Sequence, residues 1–532
     1  MSKVMTVDQA MDLIKDGDLI ATSAYIQGTT AEYIMRSLEE RYVATGHPAN
    51  LGLMAAGSAG MGGGIRGYGH DHFCHDGMLG RVYGGHFGLA PNLQDYIAAN
   101  KCQAYNFPLG VVSHMYREAT LGRKYYYTNV GLNTFIDPRI EGARLNTVTT
   151  ENIIRVVDID GEEMLAYPIP QINACLIRGN CADPEGNVCC DEELNPRGID
   201  MYNIATATHK HGGKVIVQVK EIVPTGSLTG AQITISGVFV DALVVCPDPE
   251  KEHRQTVGSF YRASQSGKVN VLLDNAKPMK LNERKVMARR AAMEMTEHAL
   301  VNLGIGIPEG VADICAEEGL TDQLTLTTES GAIGGVPQGG QNFGPSLNAL
   351  GYIEMCEMFD LYNGGNLDLS VLGLAECNAK GDINVSKFGI KNPGAGGFIN
   401  ISQNSPTVVF VGSFTAGKCE DGRGLELEFK DGELHILHEG KNRKFVKEVQ
   451  QITFASEYGV KTGQNVLYAT ERCVFKLTKD GIMLTEIAPG VDLEKDILAN
   501  MDFKPLIAEK LELMDARLFK DEKMNLQVKA RH

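Results

Sequence analysis

QLTLTTESGAIGG, residues 323–335, is an alternating run of apolar and polar residues that ends in a glycine-rich turn. Alternation with a period of two predicts a β-strand, and the glycines that follow predict a tight loop at its carboxyl end. Glu329 lies at the start of this loop, and open α/β sheets place their ligand crevices at the carboxyl ends of parallel strands. The stretch therefore predicts a parallel sheet with a candidate functional carboxylate at its edge. A capping or solvated loop glutamate is the alternative.

The same organisation extends along the whole chain, in which short strand-like runs alternate with helix-like segments. Strands are predicted over residues 18–23, 214–219, 242–246, 323–328 and 407–411, and helices over 30–41 and 283–299. Asn282 is placed to cap the second of these helices. Alternation of this kind predicts an α/β fold with largely parallel sheets.

Two pairs of similar segments suggest an internal duplication. NLGLMAAGSAG at 50–60 resembles the Glu329 stretch, and LIRGNCADPEGNV at 176–188 resembles LGLAECNAKGDINV at 372–385. The offset is 273 residues for the first pair and 195 for the second, so the first half carries 78 additional residues between them. The pairing aligns Glu329 with Ala56, which leaves a carboxylate only in the second half. Chance similarity of apolar, glycine-rich loops is the alternative.

These observations predict two related open α/β domains fused in one chain, each with a largely parallel sheet. The join is expected near residues 278–282, after a charged and turn-rich stretch. The N-terminal domain then covers residues 1–280, and the C-terminal domain, residues 281–532, carries Glu329.

The composition argues against several classes of function. The 532 residues carry a net charge of −16 without a dense basic cluster, so we expect no nucleic-acid partner. No run of about 18 apolar residues is present to span a membrane, and the acidic, amphipathic N-terminus is not a signal peptide. The twelve cysteines form no CxxC pair, and we interpret them as reduced, mostly buried thiols in a cytoplasmic protein.

Two competing motifs receive little support from their surroundings. GGGIRG at 62–67 fits GxGxxG formally, but no helical pattern follows it, as a dinucleotide site requires. The histidines of HDHFCH at 70–75 could suggest a metal, but alternate histidines on one loop more often pack against polar neighbours. No second ligand cluster and no zinc-ligand spacing accompany them. We therefore expect no bound metal.

Two further glycine-rich turns accompany the Glu329 loop. NLGIGIP at 302–308 offers Asn302 as a polar contributor, and NPGAGGF at 392–398 offers several backbone amides to a phosphate or a developing oxyanion. One carboxylate with amide-rich turns and no metal set favours acyl chemistry over hydride or phosphoryl transfer.

Over nearly its whole length the chain resembles the family I CoA-transferases, specifically the single-chain acetate/propionate and 3-oxoacid type. The resemblance rests on ordered motifs that include GHFGLAP (85–91), AYNFPLGVVSH (104–114), NLGIGIP (302–308), TESGAIGG (328–335), GAGGFINIS (394–402) and EIAPGVDLEKDIL (486–498). It implies a homodimer or homotetramer that uses coenzyme A as a co-substrate and needs no cofactor.

The resemblance also implies roles for individual residues. Glu329 would be the nucleophile that attacks an acyl-CoA thioester and ends as a glutamyl-CoA thioester in a ping-pong mechanism. The backbone amides of Gly397 and Phe398 would form one oxyanion site, with Asn302 nearby. Substrate and CoA binding is implied at Leu109, Gly334, Gly335, Gly394 and Gly396.

Leu109 departs from the family pattern, in which a PQG step supplies a glutamine donor; here residues 108–110 read PLG. Leucine has no side-chain donor, so either another donor compensates or the acid pocket is more apolar. The predicted activity is CoA transfer between a short-chain acyl-CoA and an acid such as acetate, propionate, butyrate or lactate. A 3-oxoacid or a larger, aromatic acid as substrate, acyl-CoA hydrolysis on the same scaffold, and a non-catalytic CoA-binding role are the alternatives.

Overall fold

The computed structural model describes residues 2–23, 25–26, 28–273 and 278–531. Its α-helices are α1 Val7–Met11, α2 Glu32–Thr45, α3 Pro91–Ala98, α4 Leu109–Thr120, α5 Met201–Lys210, α6 Pro249–Glu252, α7 Glu283–Ala292, α8 Gly310–Glu318, α9 Met355–Asn363, α10 Phe398–Asn404 and α11 Ser456–Thr462.

The strands of the first part of the chain are β1 Leu19–Thr22, β2 Leu51–Ala55, β3 Leu79–Gly84, β4 Gln103–Asn106, β5 Tyr125–Thr128, β6 Arg155–Ile159, β7 Glu162–Pro168, β8 Ala174–Arg178, β9 Cys181–Ala182, β10 Val188–Cys189, β11 Lys214–Val219, β12 Glu221–Ile222, β13 Ile233–Ile235 and β14 Ala242–Val245. The later strands are β15 Ala299–Leu303, β16 Leu324–Thr327, β17 Ala332–Ile333, β18 Val336–Pro337, β19 Ser346–Leu347, β20 Gly351–Tyr352, β21 Leu369–Gly373, β22 Glu376–Cys377, β23 Ile383–Asn384, β24 Thr407–Val411, β25 Thr415–Ala416, β26 Glu426–Lys430, β27 Glu433–His438, β28 Asn442–Arg443, β29 Asn465–Ala469, β30 Cys473–Thr478, β31 Gly481–Ile487 and β32 Leu506–Leu513.

The predicted elements are confirmed with small shifts in their bounds. Strands β11 and β24 have the predicted ends, whereas β1, β14 and β16 are one or two residues shorter. The Asn282 side chain accepts a hydrogen bond from the Lys285 amide (3.0 Å), which confirms the predicted cap of α7. Helix α7 ends seven residues earlier than predicted, at Ala292, because the chain turns before β15 and places His298 in the left-handed region at φ 52°.

The chain divides into two compact units, each made of three segments. The first unit comprises residues 1–271, 328–360 and 387–400, and the second comprises residues 272–327, 361–386 and 401–532. The first change of unit lies near the predicted join at 280–281. However, the segments 328–360 and 387–400 pack with the N-terminal half, so Glu329 belongs to the first unit. The predicted domains 1–280 and 281–532 therefore do not coincide with the compact units.

The first unit is built on a seven-stranded sheet in the order β14-β11-β8-β1-β2-β3-β4, and every neighbouring pair is parallel. Strands β1, β2 and β8 are buried over their whole length, as expected for a parallel sheet covered on both faces. Apolar residues of α1, α2 and α3 pack with these strands in one hydrophobic core.

The second unit contributes strands in the order β16-β15-β21-β24-β29-β30-β31-β32. The five strands from β16 to β29 run parallel, whereas β30 is antiparallel to both of its neighbours. Helices α7 and α8 bury Val286, Val311 and Ile314 in the core of this unit. Both units are therefore open α/β structures with largely parallel sheets, as the sequence predicts.

The strand pattern confirms the internal duplication. The order β14-β11-β8-β1-β2 of the first unit recurs as β29-β24-β21-β15-β16 in the second. Strands β8 and β21 are separated by the predicted offset of 195 residues. Each leads into a short hairpin of the same register, with Ala182 opposite Val188 in one and Cys377 opposite Ile383 in the other.

The segment between β2 and β8 is longer than the segment between β16 and β21, and it includes a separate antiparallel sheet in the order β5-β7-β6. All twelve cysteines are unbridged and ten of them are buried, as predicted. Within the described ranges, no helix combines the length and the apolar character needed to cross a membrane.

Candidate active site

Glu329 lies in a tight turn directly after β16. The turn is closed by hydrogen bonds from the Gly331 amide to the Thr328 carbonyl (2.9 Å) and from the Thr328 amide to the Ala332 carbonyl (3.0 Å). Gly331 has φ 104°, and a Cβ there would lie 2.0 Å from the Ile353 carbonyl oxygen. Because only glycine tolerates both conditions, Gly331 allows the sharp turn that presents Glu329.

Asn195 supports this turn through its buried side-chain amide. Its Nδ2 atom donates to the carbonyl oxygens of Ser330 (2.6 Å) and Ile353 (2.8 Å). The Ser330 hydroxyl is 2.8 Å from the Thr328 hydroxyl and donates to the Gly344 carbonyl at the same distance. No local sequence pattern points to Asn195, because its partner Ser330 is 135 residues away.

The Glu329 carboxylate packs against the backbone of Gly397. A Cβ on Gly397 would lie 2.7 Å from Glu329 Cδ and 2.8 Å from each carboxylate oxygen, so the carboxylate fills the space that a side chain would need. Glu329 is half-buried, and burial raises the pKa of its carboxyl to about 7. Within the described part of the chain, no group forms a hydrogen bond or an ion pair with this carboxylate.

The segment that carries Gly397 is held against the loop after β3 by backbone hydrogen bonds. The Gly396 amide donates to the Gly85 carbonyl (2.8 Å), and the Phe87 amide donates to the Pro393 carbonyl (2.7 Å). Reciprocal bonds of this type fix the position of residues 393–397, and they therefore fix Gly397 next to Glu329.

Asn106, at the end of β4, joins the same two loops. Its fully buried side chain accepts from the Ala395 amide (2.9 Å) and donates to the carbonyl oxygens of Gly84 and Gly85 (2.8 Å each). Gly394 passes close to this amide, at φ 89°, and a Cβ there would be 3.1 Å from Asn106 Nδ2. Asn106 is a second positioning residue that the sequence analysis did not select.

The two backbone amides predicted to form an oxyanion site differ in their surroundings. The Phe398 amide donates to the Ala395 carbonyl (3.1 Å) as α10 begins. No acceptor for the Gly397 amide lies among the residues that the structure describes. Gly397 therefore offers an uncommitted donor beside Glu329, whereas the Phe398 donor is already in use.

Leu109 is buried at the first position of α4. Its amide donates to the Gly396 carbonyl (2.8 Å), and a Cβ on Gly85 would lie 2.7 Å from Leu109 Cα. The predicted substrate-binding position is thus in contact with the loop that carries Gly397. The Leu109 side chain adds an apolar surface to the loops that contain Gly85 and Gly397. It has no hydrogen-bond donor.

For three other predicted site residues, Asn302, Gly334 and Gly335, the described part of the first unit shows no contact with Glu329. Asn302 belongs to the second unit, where its Nδ2 donates to the Tyr362 hydroxyl (3.1 Å) and to the Thr327 carbonyl (3.4 Å). Gly334 and Gly335, at φ 73° and 75°, shape the turn between β17 and β18. The catalytic role of Asn302 and the binding roles of the two glycines remain predictions.

His86 is a further residue of the site that the sequence analysis did not single out. Burial lowers the pKa of its imidazole to about 4, so the ring is neutral at pH 7. Its Nε2 would be 2.9 Å from a Cβ on Gly88, and its Cδ2 would be 3.9 Å from a Cβ on Gly396. The loop after β3 therefore brings a neutral ring, without a positive charge, close to Gly396.

Two of the three histidines at 70–75 form ion pairs with glutamates, whereas His70 Nε2 lies 2.9 Å from the Thr22 hydroxyl. His72 lies 2.8 Å from Glu32 and 2.5 Å from Glu39, and His75 lies 2.5 Å from Glu39. Although burial disfavours its charged form, the two glutamates raise the pKa of His72 to about 9. These contacts agree with the expectation that the histidines pack against polar neighbours.

The arrangement around Glu329 suits covalent acyl chemistry. An unpaired carboxylate is nucleophilic when it is ionised, and the glycines leave room for a substrate to approach. The Gly397 amide can donate a hydrogen bond to a carbonyl oxygen on which negative charge develops.

Known proteins similar to this chain act on the same type of chemistry. Residues 4–246 match the family model described as coenzyme A transferase. The chain is 41% identical over 529 residues to the caffeate CoA-transferase of Acetobacterium woodii, and the match covers 98% of each. The chain belongs to the coenzyme A transferase family.

This CoA-transferase is also 36% identical over 525 residues to the acetate CoA-transferase YdiF of Escherichia coli K12, covering 98% of this chain and 96% of YdiF. The crystal structure of the YdiF apoenzyme from E. coli O157:H7 matches it with a TM-score of 0.92 at 35% identity, covering 100% of this chain and 98% of that one. A thioester complex of the same enzyme with CoA matches with a TM-score of 0.91. The protein is thus an enzyme that transfers CoA between acyl-CoA and acids, and its predicted fold class is confirmed.

Proposed function

We propose that this CoA-transferase moves CoA between a short-chain acyl-CoA and a free carboxylic acid through a glutamyl-CoA thioester on Glu329. The observation that carries the proposal is the position of the Glu329 carboxylate, which is half-buried against Gly397 and has no partner in the described chain. Leaving a carboxylate desolvated and unpaired costs free energy. A covalent role explains why the fold keeps it so.

The proposed reaction conserves the free energy of the thioester. The ionised carboxylate attacks the acyl-CoA carbonyl, and the CoA thiolate leaves, which gives an acyl-glutamyl anhydride. The thiolate then attacks the glutamyl carbonyl and releases the first acid, leaving the glutamyl-CoA thioester. A second carboxylate reverses both steps and departs as its CoA ester. Each intermediate stays activated, so no step releases the energy that hydrolysis would lose.

Each attack on a carbonyl places negative charge on an oxygen, which needs a hydrogen-bond donor. The uncommitted amide of Gly397 is the donor that the geometry favours. The roles implied by family resemblance for Phe398 and Asn302 as further donors, and for Gly334, Gly335, Gly394 and Gly396 in substrate binding, are part of the same proposal.

The proposal is tested by incubating the protein with acetyl-CoA in the absence of an acceptor acid and measuring its intact mass. We expect one CoA adduct per chain, mapped to Glu329 by peptide analysis, and its disappearance when propionate is added. Steady thioester consumption without added acid would indicate an acyl-CoA hydrolase instead. A protein that forms no adduct with any acyl-CoA would be incompatible with both activities.

The pH dependence of adduct formation follows from the raised pKa of Glu329. Because only the ionised carboxylate attacks, kcat/KM for acyl-CoA is expected to rise with pH through a midpoint at about 7. Below that midpoint the rate should fall by about tenfold per pH unit as the carboxylate gains a proton. Rapid-mixing measurements of adduct formation across this range provide the profile. A midpoint at the ordinary glutamate value of 4.5 would show that the carboxylate is solvated in the working enzyme.

We propose that Leu109 favours acids with apolar chains over acids that carry a polar group. Its side chain offers contact area at the Gly397 loop where the family pattern has a donor. The relatives include enzymes named for caffeate and for acetate, so the acids acted on within the family differ widely in size.

Leu109→Gln is expected to shift the ratio of kcat/KM values toward acetoacetate and away from butyrate by about tenfold, since the new amide can pair with the oxo group. Leu109→Met is the matched control, because it keeps the volume and the apolar character. Both variants are assayed against one panel of acids. Equal ratios in the two variants would exclude Leu109 as a determinant of specificity.

We further propose a cytoplasmic homodimer or homotetramer that needs no cofactor besides its co-substrate CoA. The ten buried and unbridged thiols support a reducing compartment. The oligomeric state rests on family resemblance and is tested by light scattering on the purified protein. The chemistry proposed for Glu329 uses groups of the protein and the substrates alone.

A further inference from the structure

Cys419, Asp421 and His438 form a compact cluster in the second unit. One donor atom from each residue, a thiol sulfur, a carboxylate oxygen and a ring nitrogen, lies within 4.8 Å of the other two. Asp421 is exposed and the other two are half-buried. The cluster is therefore open to an ion from solvent, and no part of the proposed transfer chemistry uses it.

Two adjoining local structures bring the three side chains together. Cys419 and Asp421 lie in a tight loop after β25, which is closed by hydrogen bonds from the Cys419 amide to the Arg423 carbonyl (2.7 Å) and from the Gly422 amide to the Cys419 carbonyl (3.0 Å). His438 is the last residue of β27, and β27 pairs with β26, the strand that follows the loop. The cluster thus connects a loop to the hairpin β26–β27.

The imidazole of His438 is oriented as it is in metal-binding histidines. Its Nδ1 atom is 2.8 Å from the Gly424 carbonyl oxygen, which can only accept, so Nδ1 carries a proton and donates it. In the neutral ring, the lone pair is then on Nε2, the nitrogen that faces Asp421 at 3.4 Å. Metal-ligating histidines usually donate from their other nitrogen to a backbone carbonyl or a carboxylate in this way.

We propose that Cys419, Asp421 and His438 bind a zinc ion, with water as the fourth ligand. Thiolate, imidazole and carboxylate are the ligands that zinc takes in proteins, and three of them with an open fourth position complete a tetrahedral site. The proposal departs from the expectation of no bound metal, because a Cys-x-Asp step with a histidine 17 residues later matches no standard zinc spacing.

The separations between the donor atoms fit such a site. Nitrogen and oxygen ligands at about 2.0–2.1 Å from a tetrahedral zinc ion lie about 3.4 Å apart, and Asp421 Oδ2 is 3.4 Å from His438 Nε2. A zinc-bound sulfur would lie about 3.6 Å from those atoms. The Cys419 thiol lies within 4.8 Å of both, so each of its separations needs to shorten by at most about 1.2 Å to reach that distance.

Arg423 orients the Asp421 carboxylate through two hydrogen bonds. The Arg423 amide donates to Asp421 Oδ1 (3.0 Å) and its Nε donates to Oδ2 (2.8 Å). These bonds hold the Asp421 carboxylate in place beside the His438 ring. Arg423 then remains an outer hydrogen-bond partner of a zinc-bound carboxylate.

Zinc binding requires the Cys419 thiolate. In the metal-free form the thiol donates to the Glu439 carbonyl (3.6 Å). Binding replaces the S–H bond by an S–Zn bond and releases one proton to solvent. The thiolate and the Asp421 carboxylate together balance the two positive charges of the ion. An ion held by the loop and by β27 would fasten the segment 417–424 to the hairpin.

The test uses the full-length protein with a non-thiol reductant and with Zn²⁺ or Co²⁺ as the probe. Competition with a chromophoric chelator is expected to show one high-affinity Zn²⁺ per chain. The Co²⁺ form is expected to show a thiolate-to-cobalt charge-transfer band. Cys419→Ser and His438→Gln should each weaken Zn²⁺ binding by at least about 100-fold. This loss is larger than the usual effect of removing an outer-shell partner. Cys419→Ser should also abolish the charge-transfer band.

Matched controls separate the cluster from adventitious binding. Cys74 is the other cysteine that is not fully buried, and His435 lies on the same strand as His438 but 3.6 Å from Glu433. Cys74→Ser and His435→Gln should both bind Zn²⁺ as the unmodified protein does. The proposal is overturned if no stoichiometric Zn²⁺ is bound, if the charge-transfer band persists in Cys419→Ser, or if the control variants lose as much affinity as the ligand variants. Metal binding is measured directly, so the result is independent of CoA transfer.

Discussion

Glu329→Gln is expected to reduce kcat for CoA transfer by at least about 10,000-fold, the scale of loss found when an enzyme loses its nucleophile. Glutamine has nearly the same shape, but its amide cannot attack a thioester. Because the carboxylate has no hydrogen-bond or ion-pair partner in the described chain, the substitution breaks no polar interaction, and the variant should fold normally. Steady-state transfer from acetyl-CoA to propionate gives the rate, and intact mass should show no CoA adduct.

Glu162→Gln is the matched control for this substitution. Glu162 is an exposed carboxylate at the start of β7, in the same compact unit as Glu329. Its loss should leave kcat, KM and the adduct unchanged. A CoA adduct that still forms in Glu329→Gln would assign the nucleophile to another residue.

Gly397→Ala is expected to lower kcat by at least about 100-fold, because a displacement of about 1 Å at a reacting group has an effect of this size. The new methyl group would lie 2.7 Å from Glu329 Cδ, closer than two carbon atoms can approach, so the carboxylate must move away from the Gly397 amide. The Gly397 backbone lies outside the left-handed region, so alanine introduces no backbone strain. The rate of adduct formation reports the effect directly.

Gly230→Ala serves as the control, since a Cβ on Gly230 has open space around it and the backbone there is also outside the left-handed region. It should retain normal activity and a normal melting temperature. If Gly397→Ala forms its adduct at the normal rate, the carboxylate does not react from the position seen against Gly397.

The fold was largely predictable because its pattern is local. Buried strands such as β11 and β24 consist mostly of apolar residues in short runs. The two similar glycine-containing hairpins predicted the 195-residue offset that the strand registers confirm. Glu329 was predictable because a glutamate that follows a strand and precedes glycines is visible in sequence. The alignment of the two halves, which pairs Glu329 with Ala56, was visible in the sequence as well.

The support around Glu329 was not predictable in the same way. Asn195 and Asn106 act on segments 135 and 289 residues away. A buried asparagine in a loop or at the end of a strand has the same local appearance as an exposed one. The assignment of residues 328–360 and 387–400 to the first unit depends on such long-range bonds, among them that from Gly396 to Gly85. The hydrogen bond from the Phe398 amide to the Ala395 carbonyl, in the turn that begins α10, was likewise not visible in the sequence.

The discontinuous first unit has a consequence for how the protein is made. Its last segment ends at residue 400 of 532, so a nascent chain must emerge from the ribosome to that point before Gly85 and Asn106 meet residues 394–396. Until then the seven-stranded sheet can form, but the loops after β3 and β4 lack the segment that places Gly397 next to Glu329. Catalytic competence should consequently appear late in translation, and a gene cut at the duplication boundary should yield an N-terminal fragment with exposed loops and no activity of its own.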